Sequence, residues 1–330
     1  MRQAPVAHHL LMPRRPGPLS PTQLSTAPLP AVHLARDFTA AHVRSCARDG
    51  TWIRVRPGAY LSTTEHPAST RDRDVALSRM IALARQSTVP LTFSHISAAL
   101  LWGLPMVPGH EHTHVVQGSR PGTRGDRGVV RHRTTLHDEH RTRHNGLIVT
   151  TLERTVVDCL RMLPPLSGLI IADAALHVGA DRTVCSQMLE QLAGSRGIIK
   201  AREVLALADE GAESPGETTV RFAALRMGLP VPETQIKVVT SSSTYWADLG
   251  WRGWRLLVEY DGRQKYADAA TDVLLHERRR QESVEDAGWH VVRVMKEDLR
   301  TPGLLRRRLL RHVPTTAHAH LSRRPVLNSR

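Results

Sequence analysis

"LLVEYDGRQKY", residues 256–266, is the stretch on which the fold turns. Leu256, Leu257 and Val258 make an apolar run that reads as a buried strand. That run leads directly into Glu259, Tyr260 and Asp261, and Gly262 follows. Side chains alternate along a strand, so Glu259 and Asp261 share a face. Two carboxylates on one face repel unless something cationic stands between them: a lysine, an arginine, solvent or a metal ion.

Just upstream, residues 235–240 and 244–250 read as two further strands, and "WRGW" (251–254) as the turn that leads into the strand 254–261. A loop centred on Arg252 and Gly253 sets Asp248 opposite Leu257 and Trp246 opposite Glu259. Asp248, Glu259 and Asp261 then project from one face, with Asp248 and Glu259 as a diagonal pair roughly 7–8 Å apart at Cα. A divalent ion between two such carboxylates fits that spacing, since magnesium takes one or two carboxylates and keeps several waters. A loop of odd length would put Asp248 on the other face.

The surrounding segments complete an α-β-β-β-α-β order over residues 213–312. "SPGETTVRFAALRMG" has Ser214 as helix cap, Pro215 in the first turn, Glu217 three residues after the cap and Gly228 at the end. A helix at 271–287, the strand "WHVVRVM" and a helix at 302–312 follow. Residues 26–66 hold "FTAAHVRSCARDG", a helix capped by Thr39, and "TWIRVRPGAYLST", a hairpin around Pro57-Gly58. Helix followed by basic hairpin is the plan of a winged helix-turn-helix, with Arg44 and Arg48 on its helix and Arg54 and Arg56 on one face of its wing. Residues 67–212 read as a middle α/β module. Residues 1–25 and the tail 313–330 are Pro-rich or basic and read as disordered. The fold class expected is α/β (α+β) in three parts.

The formal charge is +14. Such an excess favours a polyanion, DNA above all, because each Lys or Arg on a phosphate releases counterions. Cys46, Cys159 and Cys185 are odd in number and without metal spacing, which suits a reducing cytoplasm. No apolar run is long enough to cross a bilayer, so no membrane is expected. "HEHTH" sets His110, His112 and His114 on one strand face, and "HDEHRTRHN" offers His137, His140 and His144, but no cysteine supports zinc at either.

"SPGE" opening a helix, "YWADLGW", "LLVEYDGRQKY" and "HERRRQESVEDAGWHVVRV" together resemble the PD-(D/E)XK nuclease superfamily. Within it the resemblance is to the domain-of-unknown-function family related to very-short-patch-repair endonucleases. "WIRVRPGAYL", "SHISAALLWGL" and "GLIVTTLERTVVDCL" resemble the N-terminal part of proteins that join an AbiEi-type antitoxin winged helix to such a domain. The first resemblance implies a restriction-endonuclease-like αβββαβ domain that hydrolyses DNA with Mg2+ or Mn2+. It makes Asp248 the central metal ligand, Glu259 the second, and Glu217 an outer acid that orients a metal-bound water. The superfamily's lysine stands two residues after the second acid; here Asp261 is there, and Lys265 would supply the cation. Arg278 and Arg279, with Arg280, would grip the DNA backbone. The second resemblance implies an alternative: a regulator or antitoxin of a toxin–antitoxin or phage-defence system, with a toxin or defence partner and an inactive nuclease fold.

Each of these residues also has a plainer role. Ser214 with Glu217 is a capping box without catalysis. Asp261 before Gly262 is turn chemistry. Lys265 is a loop lysine, and the run 278–280 is a solvated helix face.

Overall fold

In this computed structural model the described residues are 29–66, 69–118, 126–241, 243–261 and 271–328, without the side chains of 271–277. They form a mixed α/β protein with three sheets, divided into two compact units, residues 29–208 and 209–328.

The first unit opens with a three-stranded antiparallel sheet. Its strands are β1 (Val32–Leu34), β2 (Trp52–Arg56) and β3 (Ala59–Ser62), in the order β1-β3-β2. Helix α1 (Ala40–Arg48) lies between β1 and β2 in sequence. Thr39 caps it by accepting from the His42 N–H at 3.3 Å, which satisfies one of the helix's orphan donors. Val32, Leu34, Val55, Ala59 and Leu61 bury one sheet face against Ala82 of α2 (Arg71–Gln86). The helix α1 followed by the β2–β3 hairpin matches the order read for a winged helix-turn-helix. Among the described residues, α1 is preceded by strand β1, whose Val32 and Leu34 alternate into the core while His33 points away, and by a 3-10 turn at Ala35–Asp37.

The rest of this unit is a five-stranded sheet with helices. The strands are β4 (Thr92–Phe93), β5 (Thr113–Gln117), β6 (Val129–Arg133), β7 (Arg141–His144) and β8 (Leu147–Thr150), in the order β6-β5-β4-β8-β7. Helix α3 (His95–Leu101) follows β4, and α4 (Leu152–Met162), α5 (Pro165–His177), α6 (Arg182–Gln191) and α7 (Ile198–Ala206) follow β8. Phe93, Val115 and Val149 pack with Leu77 and Met80 of α2 and Leu101 of α3.

The second unit runs α8 (Pro215–Arg226), β9 (Glu233–Val239), β10 (Thr244–Trp251), β11 (Leu256–Asp261), α9 (Thr271–Asp286), β12 (His290–Met295), α10 (Pro302–Leu310) and α11 (Thr315–His318). Its sheet has the order β12-β11-β10-β9. Strands β9, β10 and β11 form an antiparallel meander, and β12 returns parallel to β11 after α9. Both faces are buried. Leu249, Trp251, Leu256, Val258, Val292 and Val294 pack with Val220 of α8 and Leu305 of α10. Ile236, Val238, Ala247 and Leu257 pack with Val284 of α9 and Trp289.

The tail expected to be disordered from 313 is also corrected. Leu321 packs against the α8-side cluster and Leu327 is buried. Arg324 donates to the carbonyls of Leu225 (3.3 Å) and Leu229 (3.0 Å), and the Ser322 N–H donates to Gly228 O at 3.2 Å. A few apolar residues among basic ones suffice to dock the chain, and Arg324 joins a carbonyl of the last turn of α8 to that of Leu229 just beyond it. No helix among the described residues is long and apolar enough to cross a membrane.

Candidate functional site

The β10–β11 hairpin pairs Leu249 with Val258, Gly250 with Leu257 and Trp251 with Leu256. The connection is four residues, a 3-10 turn Arg252–Trp254 closed by Arg255 in the left-handed region (φ 50°). Pairing therefore lies one step further along each strand than a turn centred on Arg252 and Gly253 requires. Continued by one residue, it sets Asp248 opposite Glu259 instead of Leu257.

The Asp248 side chain turns into the ladder. Its Oδ2 accepts from the Tyr260 backbone N–H at 2.7 Å. On its other flank the pairing skips a step, from Ala247–Ile236 to Leu249–Thr234, and Gln235 between them has φ 49°. Ala247 packs on the α9 side of the sheet and Leu249 on the α8 side. Strict alternation is thus interrupted at Asp248, so parity alone does not assign its face.

Glu259 carries the cation that the sequence demanded. Its Oε2 accepts from Arg280 Nη2 of α9 at 2.6 Å and lies 3.9 Å from Arg293 Nε. Arg293 is the register partner of Glu259 on β12. The Arg280 guanidinium also lies over the Tyr245 ring, 5.8 Å from its centroid. Asp261 is buried, and its Oδ1 has no hydrogen-bond partner among the described residues.

Glu217 is buried at the start of α8. Its Oε1 accepts from the Ser214 hydroxyl at 2.8 Å, its Oε2 from the Glu213 N–H at 2.9 Å, and its own N–H donates to Ser214 Oγ at 3.2 Å. That is the reciprocal capping box. Lys265 lies outside the described residues.

Oxygen donors of the right kind therefore stand near one another, and Asp261 holds an acceptor short of a donor. Yet Glu259 is already neutralised by guanidinium, Asp248 gives an oxygen to the backbone, and no group of three metal-binding side chains gathers among the described residues. These residues do not fit a divalent ion as they stand.

The arginines divide by environment. Arg44, Arg48 and Arg54 are exposed. Arg56 is half-buried and bound to Asp126 at 2.7 Å. Arg278 is exposed and paired with Glu282 one helical turn on, at 3.0 Å, and Arg279 is exposed. Arg280 is the residue whose role the sequence concealed. In the run "RRR" nothing marks which arginine turns inward, although i, i+4 from Val284 places Arg280 on the sheet-facing side of α9.

The two zinc sets do not assemble. Strand β5 begins at Thr113, so His110 and His112 precede it. His114 instead meets two other histidines. Its Nδ1 is 2.9 Å from His132 Nε2, and His95 stacks on His132 with centroids 3.5 Å apart.

The fold thus defines a two-unit α/β protein whose second unit carries an acidic cluster on its central strands. No family model matches the chain. Two curated relatives from Mycobacterium tuberculosis, "Uncharacterized protein MT2308" of strain CDC 1551 / Oshkosh and "Uncharacterized protein Rv2248" of strain ATCC 25618 / H37Rv, are each 32% identical to it over 174 residues. The match covers 52% of this chain and 64% of each relative, less than two thirds of their length.

Proposed function

We propose that this is a DNA-binding protein whose C-terminal unit uses a PD-(D/E)XK-type architecture to hold nucleic acid without cutting it. It would serve as a regulator or antitoxin-like component of a toxin–antitoxin or phage-defence system. The observation that carries the non-cleaving reading is the Arg280–Glu259 contact at 2.6 Å, which puts a fixed guanidinium where a nuclease needs a metal ligand. The α-β-β-β-α-β order supports the architecture. The +14 charge and the exposed Arg44, Arg48, Arg54 and Arg279 support a DNA partner.

The endonuclease reading keeps one supporting observation, the buried Asp261 Oδ1, two residues from Glu259 and without a donor among the described residues. A second acidic oxygen in that position would accept Mg2+ or Mn2+ if Arg280 moved. A plasmid-nicking assay with either ion separates the two. The expected result is DNA retention in a gel shift with no nicking. Nicking that is abolished by Asp248→Ala and by Glu259→Ala, with DNA binding kept, would reverse the choice.

A further inference from the structure

The outer face of the first unit's small sheet carries rings where a solvent face usually carries charge. His33, Tyr60 and Arg54 lie in one cross-strand row, because His33 pairs with Tyr60 and Tyr60 with Arg54. Trp52 is two residues from Arg54 on the same strand and therefore on the same face. His33 and Trp52 stack with centroids 4.4 Å apart and planes 4° from parallel. Trp52 lies 5.9 Å from Tyr60. Phe38 and His42 close the group from the α1 side, 5.0 and 5.2 Å from Trp52.

Three of these five rings are Phe, Trp or Tyr in a chain where those types make up only 4%. They are not the unit's core. The apolar core of this sheet lies on the opposite face, against α2. Phe38 is 38% exposed, His42 is exposed, and His33, Trp52 and Tyr60 are half-buried. In α1 only Val43 is buried. Arg54, in the cross-strand row with Tyr60, is exposed, as are Arg44 and Arg48 of α1.

We infer that this face is a stacking platform for single-stranded nucleic acid, an assignment that rests on the nucleic-acid-binding reading above and names its substrate class. Unpaired bases offer flat faces that stack on aromatic rings, while guanidinium groups take the phosphates. In a duplex those base faces are consumed by stacking within the helix.

The test uses the full chain and fluorescence anisotropy with labelled oligo(dT), oligo(rU) and a duplex of equal length at matched salt. Single strands should bind about tenfold or more tighter than the duplex. Phe38→Ala and His42→Ala remove exposed rings without touching the sheet's core. Each should weaken single-strand binding several-fold and leave the salt slope unchanged. Trp52→Leu should weaken it by about tenfold or more. Arg54→Ala should lower the salt slope. Photocrosslinks from a bromouracil-substituted strand should map to residues 33–60. Tighter binding of duplex, with ring substitutions silent and crosslinks elsewhere, would overturn the platform and leave the DNA-binding reading standing. Absence of binding to all three probes would overturn both. Circular dichroism of each variant checks that the fold is kept.

Discussion

Arg280, on α9, holds the Glu259 carboxylate of β11 at 2.6 Å. The two side chains are 20% and 15% exposed, so the pair is shielded enough for its loss to be felt. This contact answers the question posed by two acids two residues apart on β11. The cation is an arginine supplied by the next helix, and Arg293 on β12 adds a second, more distant charge.

Removing one partner should therefore cost more than removing both. Arg280→Ala leaves Glu259 partly buried beside a weaker partner and should destabilise the chain by about 1–2 kcal/mol, below the range for fully buried pairs. Arg280→Ala with Glu259→Gln should recover most of that loss. A double-mutant cycle by urea denaturation measures the coupling. Additive losses would mean that the pair contributes nothing.

Local chemistry made some of this legible. Ser214, Pro215 and Glu217 mark the start of α8 because capping depends on neighbours within one turn. The hairpin strands were readable from their apolar runs, but not their register. That is set by Arg255 in a left-handed conformation, which favours glycine or asparagine and which nothing in "WRGWR" announces. The interruption at Asp248 depends on Gln235 in the same way. Strand β1 is three residues long, too short for any periodicity to distinguish it from a helical turn. For α4, the cap is Thr151, which accepts from the Arg154 N–H, whereas Thr150 bonds to Thr155. A run of threonines leaves that choice open. Which arginine of 278–280 meets Glu259 depends on how α9 packs, a tertiary fact.

Gly216 should be intolerant of even one methyl group. A Cβ there would overlap the ring of Tyr260 on β11. Space, not backbone conformation, is what glycine supplies at this position. Gly216→Ala should cost about 1–3 kcal/mol by overpacking, and Tyr260→Leu in the same chain should return part of it. Equal stability of Gly216→Ala and wild type in urea would show that α8 does not press on β11.

The docked tail should be part of the second unit's stability. Ending the chain at Pro314 removes the buried Leu327, the packing of Leu321 and the two hydrogen bonds of Arg324. The expected loss is about 2–4 kcal/mol. Arg324→Ala alone should lose about 1 kcal/mol, since it removes the hydrogen bonds to the Leu225 and Leu229 carbonyls. Hydrogen exchange at the C-terminal turn of α8 would report both changes. Unaltered protection there would rule out docking.

The histidine cluster of the first unit should make its stability fall in mild acid. Burial lowers His132 to about 4, and burial together with neighbouring imidazoles lowers His114 to about 4 and His95 well below its ordinary value. Unfolded histidines titrate near 6.5, so the unfolded chain binds more protons between those values. The stabilising contribution of the neutral rings is complete above about pH 6.5 and is lost progressively as pH falls through about 4. Asp158 works in the opposite direction. Burial raises it although Arg154 Nε lies 3.0 Å from its Oδ1, so its contribution is largest in acid and falls as pH rises through its folded value. These three histidines, joined by His140 and His144 that burial also lowers, outweigh one aspartate and should leave a net loss of stability towards acid. Thermal unfolding measured from pH 7.5 to pH 4 should show the midpoint dropping across that window. His132→Gln, which removes one titrating ring from the stack on His95, should flatten the drop. A midpoint equally pH-dependent in that variant would place the proton uptake elsewhere.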